Sequence, residues 1–438
     1  MLTSLFTGIS GLNANGLALS VIGDNIANAN TVGFKASRAN FGDILSQTLG
    51  GASAMQVGRG TMIIDIQKMF TQGTLETTSN PLDLAIEGDG FFVVRQLNGP
   101  TYYTRAGQFR LDKEGYVVDP NGYRLQAYQM DATGSVTGEI GDVYLAGLMS
   151  DPSATNKISM QMNLDSRDDI PSAPWTPPSG TNLPASNTYN FSTAITIYDS
   201  QGNPHLVYTY FRKIAQNTWE AHVVYNDSAT GTNYVEVDFD SSTTGVQPIT
   251  LSFNTDGALS DVYVTTPHVP PNPNFTPTAS LNFSSWGVTS PQNVNLSFSN
   301  STQYGSPNAV VFQTQNGYSS GNLIAVTVDQ DGVVSGVFTN GQVKKVAQVV
   351  LAKFVAAHNL TKVGNNLYLE SYGSGGPTYG APGTVGVGKV YANSLESSNV
   401  DLAEEFIRMI AAQRAYQANV RVITTTDNML NELMNIIR

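Results

Sequence analysis

A chain of 438 residues, 41% hydrophobic and only 13% charged, holds more apolar material than one core organises, so its length points to roughly two to four domains. Its net charge of −12 excludes a nucleic-acid binder that works by neutralising phosphates, which needs clustered Lys and Arg, and disfavours anionic membranes on the same ground. With no cysteine, disulfides, thiolate metal sites and cysteine nucleophiles are excluded as well.

The amino-terminal stretch Met1 to Ser20 lacks a basic n-region and a continuous apolar h-region, so no cleaved secretory signal is expected. No uninterrupted run of about 18 apolar residues occurs, so no bilayer-spanning segment and no membrane insertion are expected. What does occur is periodicity. Leu2, Leu5, Ile9, Leu12, Leu19 and Ile26 fall on alternating spacings of three and four, with Gly16 and Gly23 in the two missing seam positions. A helix over residues 1–28 is predicted. Its glycines 8, 11, 16 and 23 each weaken it by roughly 1 kcal/mol relative to alanine, so it needs a partner.

Beyond it, short alternating apolar runs are punctuated by turn signals: Asp112 to Gly115, Asn121-Gly122, Asp199 to Gly202, Asp256-Gly257, Asp331-Gly332 and Asn340-Gly341. These are hairpin signatures. Leu82, Leu84 and Ile86 alternate, Gly88-Asp89-Gly90 turns, and Phe91 to Val94 resumes as strand, so the middle is predicted to be mostly β. Proline clusters at Pro171 to Pro184 and Pro267 to Pro277 cannot continue a central strand and mark loops. Charge is uneven too. Residues 149–317 hold twelve Asp or Glu against four Lys or Arg, whereas residues 1–82 hold four of each sign.

At the far end, Phe406, Met409, Tyr416, Val420, Ile423, Leu430, Met434 and Ile437 repeat the three-and-four pattern, interrupted at Gln413 and Asp427. Asp401 and Glu404 have the spacing of a capping box, which starts this helix near Leu402. Each stripe fits an ordinary amphipathic helix lying on a core. Two such seams at opposite termini also fit pairing with each other or with further copies, and burying each large seam residue returns on the order of 1.5 to 3 kcal/mol once a partner is present.

Few residues suggest chemistry. Gly383 to Lys389 approaches a phosphate-cradling loop, but Val390 stands where a hydroxyl would hold magnesium, and no strand-before, helix-after context is predicted. Gly88-Asp89-Gly90 is weaker still. The four histidines, His205, His222, His268 and His358, have no metal-ligand spacing. Asp329, Asp331 and Gly332 resemble the start of a calcium loop whose bidentate Glu never follows, so a hairpin turn is expected. Glu404-Glu405 and Asp168-Asp169 read as solvated faces. Asn190, Asn226, Asn282 and Asn295 sit in Asn-x-Ser/Thr triplets, which arise readily in so Ser/Thr/Asn-rich a chain. No acid–base pair emerges, so no enzyme, cofactor or metal is expected.

Four stretches carry a resemblance. They are Ser10 to Ser37, with its core NIANANTVGFKAS; Gln72 to Val94 (QGTLETTSNPLDLAIEGDGFFVV) followed by Tyr103 to Phe109 (YTRAGQF); Leu351 to Tyr368 (LAKFVAAHNLTKVGNNLY); and Leu395 to Ala418 (LESSNVDLAEEFIRMIAAQRAYQA), continuing into Val422 to Leu430 (VITTTDNML). In sequence and in order they resemble the bacterial flagellar axial proteins, the family of rod, hook and hook-filament junction subunits. The insert over residues 149–317 is longer than rod subunits carry. Within it, Ile197 to His205 (IYDSQGNPH) resembles an outer-domain turn of hook subunits, and Gln313 to Asn322 (QTQNGYSSGN) with the Val328 to Gly332 hairpin resembles the return into their inner β domain.

That resemblance implies a multi-domain fold, with coiled-coil-like α-helical termini pairing into an inner tube, nested around two mainly antiparallel β domains. The implied division is terminal helices at 1–28 and 402–438, a connector at 29–72 and 393–401, an inner β domain at 73–148 and 318–392, and an outer β domain at 149–317. The fourteen apolar seam residues named above become the expected assembly interface, while Gln413, Arg414, Gln417 and Asn419 are open between channel and neighbour. Also implied are a homo-polymer that transmits motor torque, located at the flagellar hook outside the cell after export without a cleaved signal. Its partners would be rod and hook-filament junction proteins, the hook cap and the export apparatus. A distal rod subunit is the alternative within the family. A displayed adhesive or binding module is the alternative outside it, for which the insert's Trp175, Trp219 and Trp286 leave room.

Overall fold

The computed structural model describes residues 2–45, 58–131, 133–240, 242, 245–384 and 386–436. The chain divides into two compact units: residues 1–148, 324–337 and 343–438 form the first, and 149–323 with 338–342 the second.

Helix α1 (Leu2–Ala27) and helix α2 (Leu402–Ile436) belong to the first unit, as does a hairpin of strands β1 (Ser37–Leu45) and β2 (Gly58–Lys68) paired antiparallel. The start of α2 is only half the expected box. Asp401 Oδ1 accepts from the Ala403 and Glu404 amides at 2.8 and 3.2 Å, but the Glu404 carboxylate pairs forward with Arg408 at 2.6 Å, one helical turn on.

The β part of this unit runs through the antiparallel strands Val343–Val349, Arg124–Met130, Phe91–Arg95, Thr101–Thr104, Leu367–Leu369 and Thr361–Gly364 in that order. Phe91, Val93, Tyr103, Val350, Ala352, Phe354, Leu360 and Tyr368 are buried together. Phe70, from the segment after β2, stands edge-on against Phe91 and Tyr368 with ring centres 5.1 and 5.4 Å away, which ties that segment to the core. The run Leu84–Glu87 is a strand as expected, but it does not pair with Phe91–Arg95 across Gly88-Asp89-Gly90. Its partner is Lys389–Ala392. Both runs bury nearly every residue on both faces, so alternation gave no register between them. Of the Gly383 to Lys389 stretch, Val385 lies outside the described residues, the remaining positions before Gly388 are turns and bends, and Lys389 begins this strand. Gly388 lacks a Cβ because one would collide with the Glu87 carbonyl oxygen.

The second unit contains an antiparallel sheet ordered Phe191–Tyr198, Pro204–Ala215, Thr218–Asn226, Ile249–Phe253, Leu259–Tyr263, with Tyr234–Glu236 also on Thr218–Asn226. A four-stranded sheet, Thr278–Leu281, Gln292–Ser297, Lys157–Asn163, Ala309–Gln315, has one parallel pairing at its centre. Met160, Met162, Phe211, Trp219, Phe283 and Phe298 belong to one buried cluster that draws on both sheets. The proline clusters stand in strand-free stretches, as expected.

Five of the six predicted turns share one local construction. The Gly amide bonds the carbonyl three residues back, and the Asp or Asn at that position accepts further amides with its side chain. At the hairpin of Asp199 to Gly202, Asp199 Oδ1 accepts from Gln201 and Asn203, at 2.8 and 2.9 Å. Asp329, weighed above as a calcium ligand, spends the same oxygen on the Asp331 and Val333 amides. Among the described residues no group of three or more His, Cys, Asp or Glu is placed to hold a metal.

Candidate assembly surface

The helices α1 and α2 pack antiparallel, and the contact is built from small residues. A Cβ on Gly8 would meet Ile423 at 3.0 Å, one on Gly11 would meet the Asn419 side chain at 2.7 Å, and Gly16 lies against Tyr416. The buried stripe of α1 is Gly8, Gly11, Ala14, Ala18, Val21 and Asn25, spaced by three and four. Gly23 meets nothing. Two of the glycines that weaken α1 therefore let a second helix approach it closely, and Gly23 weakens it without that return. The hairpin covers another side of α1: Ser10 Oγ accepts from the Thr61 amide at 3.3 Å, and Gly60 sits where a side chain would strike Ser10.

This arrangement divides the predicted seam. On α1, Leu5, Leu12, Leu19 and Ile26 are half-buried and Ile9 is 40% exposed. On α2, Met409, Tyr416, Ile423 and Leu430 are half-buried, on the stripe with Glu405, Ala412, Asn419 and Thr426 that turns inward. Phe406, Val420 and Met434 are exposed, at 50%, 36% and 69%. The structure describes the backbone of Leu2 but not its side chain, and Ile437 lies outside the described residues. Exposed apolar residues outside the predicted set extend the row: Phe6 and Leu17 on α1, and Ile407, Ile410, Val422 and Met429 on α2. A seam rule with period 3.5 passes over them; an apolar all-round helix pattern would have found them. Gln413, Arg414 and Gln417 are exposed and Asn419 faces Gly11.

One expectation about α1 needs correction. Ser4–Ala27 is long and apolar enough, by length and composition, to cross a membrane. The search for an unbroken apolar run missed this because Gly, Ser, Thr and Asn interrupt the run without carrying charge. Its small-residue face is nevertheless used for packing against α2 and the hairpin.

A buried clasp fixes both ends of the chain to the β part of the first unit, and the sequence reading did not find it. Lys35 Nζ lies 2.6 Å from Glu396 Oε1 and donates to the Thr71 carbonyl at 2.7 Å. Arg105 Nη1 lies 3.4 Å from the other Glu396 oxygen, and Arg105 Nη2 donates to the Gly88 carbonyl. Glu396 also accepts from the Gly73 amide at 2.9 Å. Lys35 and Glu396 side chains are wholly buried. Burial pushes the Lys35 ammonium below its usual range, opposed by Glu396, and burial lowers Arg105 likewise. Gly33, in the left-handed region at φ 68°, brings its amide to the Glu396 carbonyl at 2.7 Å, and a Cβ there would come within 2.5 Å of the Ala106 nitrogen. Asn25 and Ser37 exchange two hydrogen bonds of 2.8 Å. Asn399 reaches Ala36, Met69 and Thr71. Nearby, Lys68 and Lys362 both lie over the Phe34 ring, and Lys68 is pushed down to about 8 by burial and the Lys362 charge.

The histidines have carboxylate partners in three cases: His205 with Asp199 at 2.9 Å, His222 with Glu236 at 2.5 Å, and His268 with Asp261 at 2.8 Å.

Four family models match the chain: "Flagella basal body rod protein" at residues 5–35, "Flagellar hook protein FlgE/F/G D1 domain" at 85–164, "Flagellar basal body protein FlaE D2 domain" at 163–318, and "Flagellar basal body rod FlgEFG protein C-terminal" at 391–436. Flagellar hook protein FlgE of Escherichia coli is 34% identical over 432 residues, covering 98% of each chain. That of Salmonella typhimurium is 35% identical over 437 residues, covering 99% of this chain and 100% of its own. That of Treponema pallidum is 31% identical over 471 residues and covers both chains completely. With relatives above 30% identity matching from end to end, and the apolar ends and β units in the order those family models require, the chain belongs to the flagellar hook protein FlgE family.

Proposed function

We propose that this chain is the structural subunit of the bacterial flagellar hook, polymerising into a flexible tube that passes motor torque to the filament. The observation that carries this reading is the row of large apolar residues left open on the terminal helices, with Phe406, Ile407 and Met434 all at least half exposed. A lone chain has no use for such a row, whereas a cylinder of copies buries it, at about 25 cal/mol for each Å² removed from water. In the polymer α1 and α2 form the inner wall. The near-neutral ends are the part that crowds an axis without charge repulsion, and the acidic residues 149–317 remain in solvent, where like charges are screened over about 8 Å. Rod and hook-filament junction proteins, the hook cap and the export apparatus are its partners, and the assembled tube lies outside the cell. A structural role fits the site: the polar side chains of the clasp and of the turns are spent on one another and on backbone groups.

The test is Phe406→Ser combined with Ile407→Asp. Both positions are exposed, so the isolated chain should keep its stability to within about 0.5 kcal/mol, while electron microscopy of concentrated protein should lose the tubes that the parent forms. Tubes of undiminished length from the variant would refute the assignment of this surface. Curved tubes of constant diameter from the parent support a hook, and short straight ones would transfer the chain to the distal rod.

A further inference from the structure

In the second unit, residues 166–190 form no helix and no strand beyond an isolated pairing of Ser179 with Asn182. They make a strap beside the antiparallel sheet. Its start is held by Lys213, whose Nζ donates to the Ser166 and Asp168 carbonyls at 2.7 Å each, and its end by Asn190, which donates to the Asp169 carbonyl. In between, the Gly180 carbonyl accepts from the Tyr234 amide, and Trp175 supplies a side-chain anchor. The Trp175 indole lies flat on the His222 imidazole, with ring centres 3.8 Å apart and planes 17° from parallel. Its Nε1 donates to Glu236 Oε2 at 2.9 Å, while Glu236 Oε1 stands 2.5 Å from His222 Nδ1. The opposite ring nitrogen, Nε2, lies 3.4 Å from Glu220 Oε2, an oxygen shared with Arg212 Nη1 at 3.5 Å. Both His222 and Glu236 are buried.

We propose that this cluster is a proton-operated latch: a His222 imidazolium clamped between Glu236 and Glu220 holds Trp175, and with it the strap, and loss of its proton releases them. Both ring nitrogens stand within ion-pair distance of a carboxylate, Nδ1 in a hydrogen bond with Glu236 and Nε2 in a charge contact with Glu220 that is not itself a hydrogen bond. Only the imidazolium carries an N–H and positive charge to both. A neutral ring that keeps its proton on Nδ1 for Glu236 turns a bare lone pair towards the Glu220 carboxylate, and the attraction between a cation and the indole face disappears as well. The other groups facing the ring do not titrate in its place. Arg212 on the adjacent strand lies 3.5 Å from the same Glu220 oxygen. Tyr210, opposite His222 on that strand and 5.8 Å from Trp175 between ring centres, is pushed up to about 12 by burial and neighbouring tyrosines; Tyr208 is raised too. Burial works against a charged His222, yet the Glu220 and Glu236 carboxylates outweigh it and hold the group above the ordinary histidine range. The sign follows. With the folded value raised, the stabilisation is complete below about pH 6.5 and is lost as pH climbs through the folded value. The latch is shut in acid and opens on alkalinisation.

Hydrogen exchange of the full chain, corrected for the intrinsic pH dependence of exchange, reads this directly between about pH 6 and about pH 9. The strap should lose protection by up to about tenfold for each pH unit between about pH 6.5 and the folded value and level off above it, while the strand Thr218–Asn226 stays protected. His222→Gln should abolish the step, and Glu220→Gln should move its midpoint to lower pH. Trp175→Phe, subtracted from the parent, isolates an emission change with the same midpoint. Strap protection that is flat over this range in the parent, or a midpoint indifferent to Glu220→Gln, would overturn the latch. The second variant keeps the test open if His222→Gln fails to fold.

Discussion

In the second unit the large aromatic side chains Phe211, Trp219, Phe283 and Phe298 are fully inside, and the polar turns close over them. On helix α2 the order is reversed: Glu405 and Thr426 are inside while Phe406, Ile407 and Ile410 face out. The same physical rule acts in both places, since apolar surface leaves water wherever a partner is available. What differs is the source of the partner. The second unit is its own partner, through strands that pair within it. The ends spend their small residues on each other, and the large ones are left exposed.

The sharpest way to break that contrast is at the clasp. Glu396→Ala leaves Lys35 and Arg105 buried without their carboxylate, and the first unit should lose about 3 to 5 kcal/mol in denaturant unfolding. Exchange at residues 29–37 should rise with it while the second unit is unaffected. Equal loss in both units would show that they are not independent. A smaller effect is expected at the helix contact. Gly11→Leu drives a side chain into Asn419 and should cost about 1 to 3 kcal/mol, with exchange rising along residues 412–426 and thermal unfolding of the second unit unmoved. The smallest effect belongs to the cap: Asp401→Ala should cost about 1 kcal/mol and fray only the first turn of α2, as followed by exchange at residues 402–405.

Features settled by neighbours in sequence were legible from it. Both helices, the start of α2 at Leu402, and turns such as Asp199 to Gly202 depend on residues a few positions apart, and they stand where periodicity and turn chemistry put them. Partners distant in sequence were not legible. Leu84–Glu87 finds Lys389–Ala392 because two doubly buried strands carry no alternation to fix register. The inward face of α1 was misjudged because a count of large apolar residues ranks Leu and Ile above Gly and Ala, while close helix packing prefers the small ones. Lys35 could have been suspected from its position in the apolar run Val32 to Ala36, but nothing local names Glu396 as its partner.

That clasp joins residues 361 positions apart in the sequence. Any copy that stops short of Glu396, however well its sheets have formed, keeps two cations sealed in a dry interior with no anion to answer them. The completeness of the chain thereby bears on its stability at a point near its beginning.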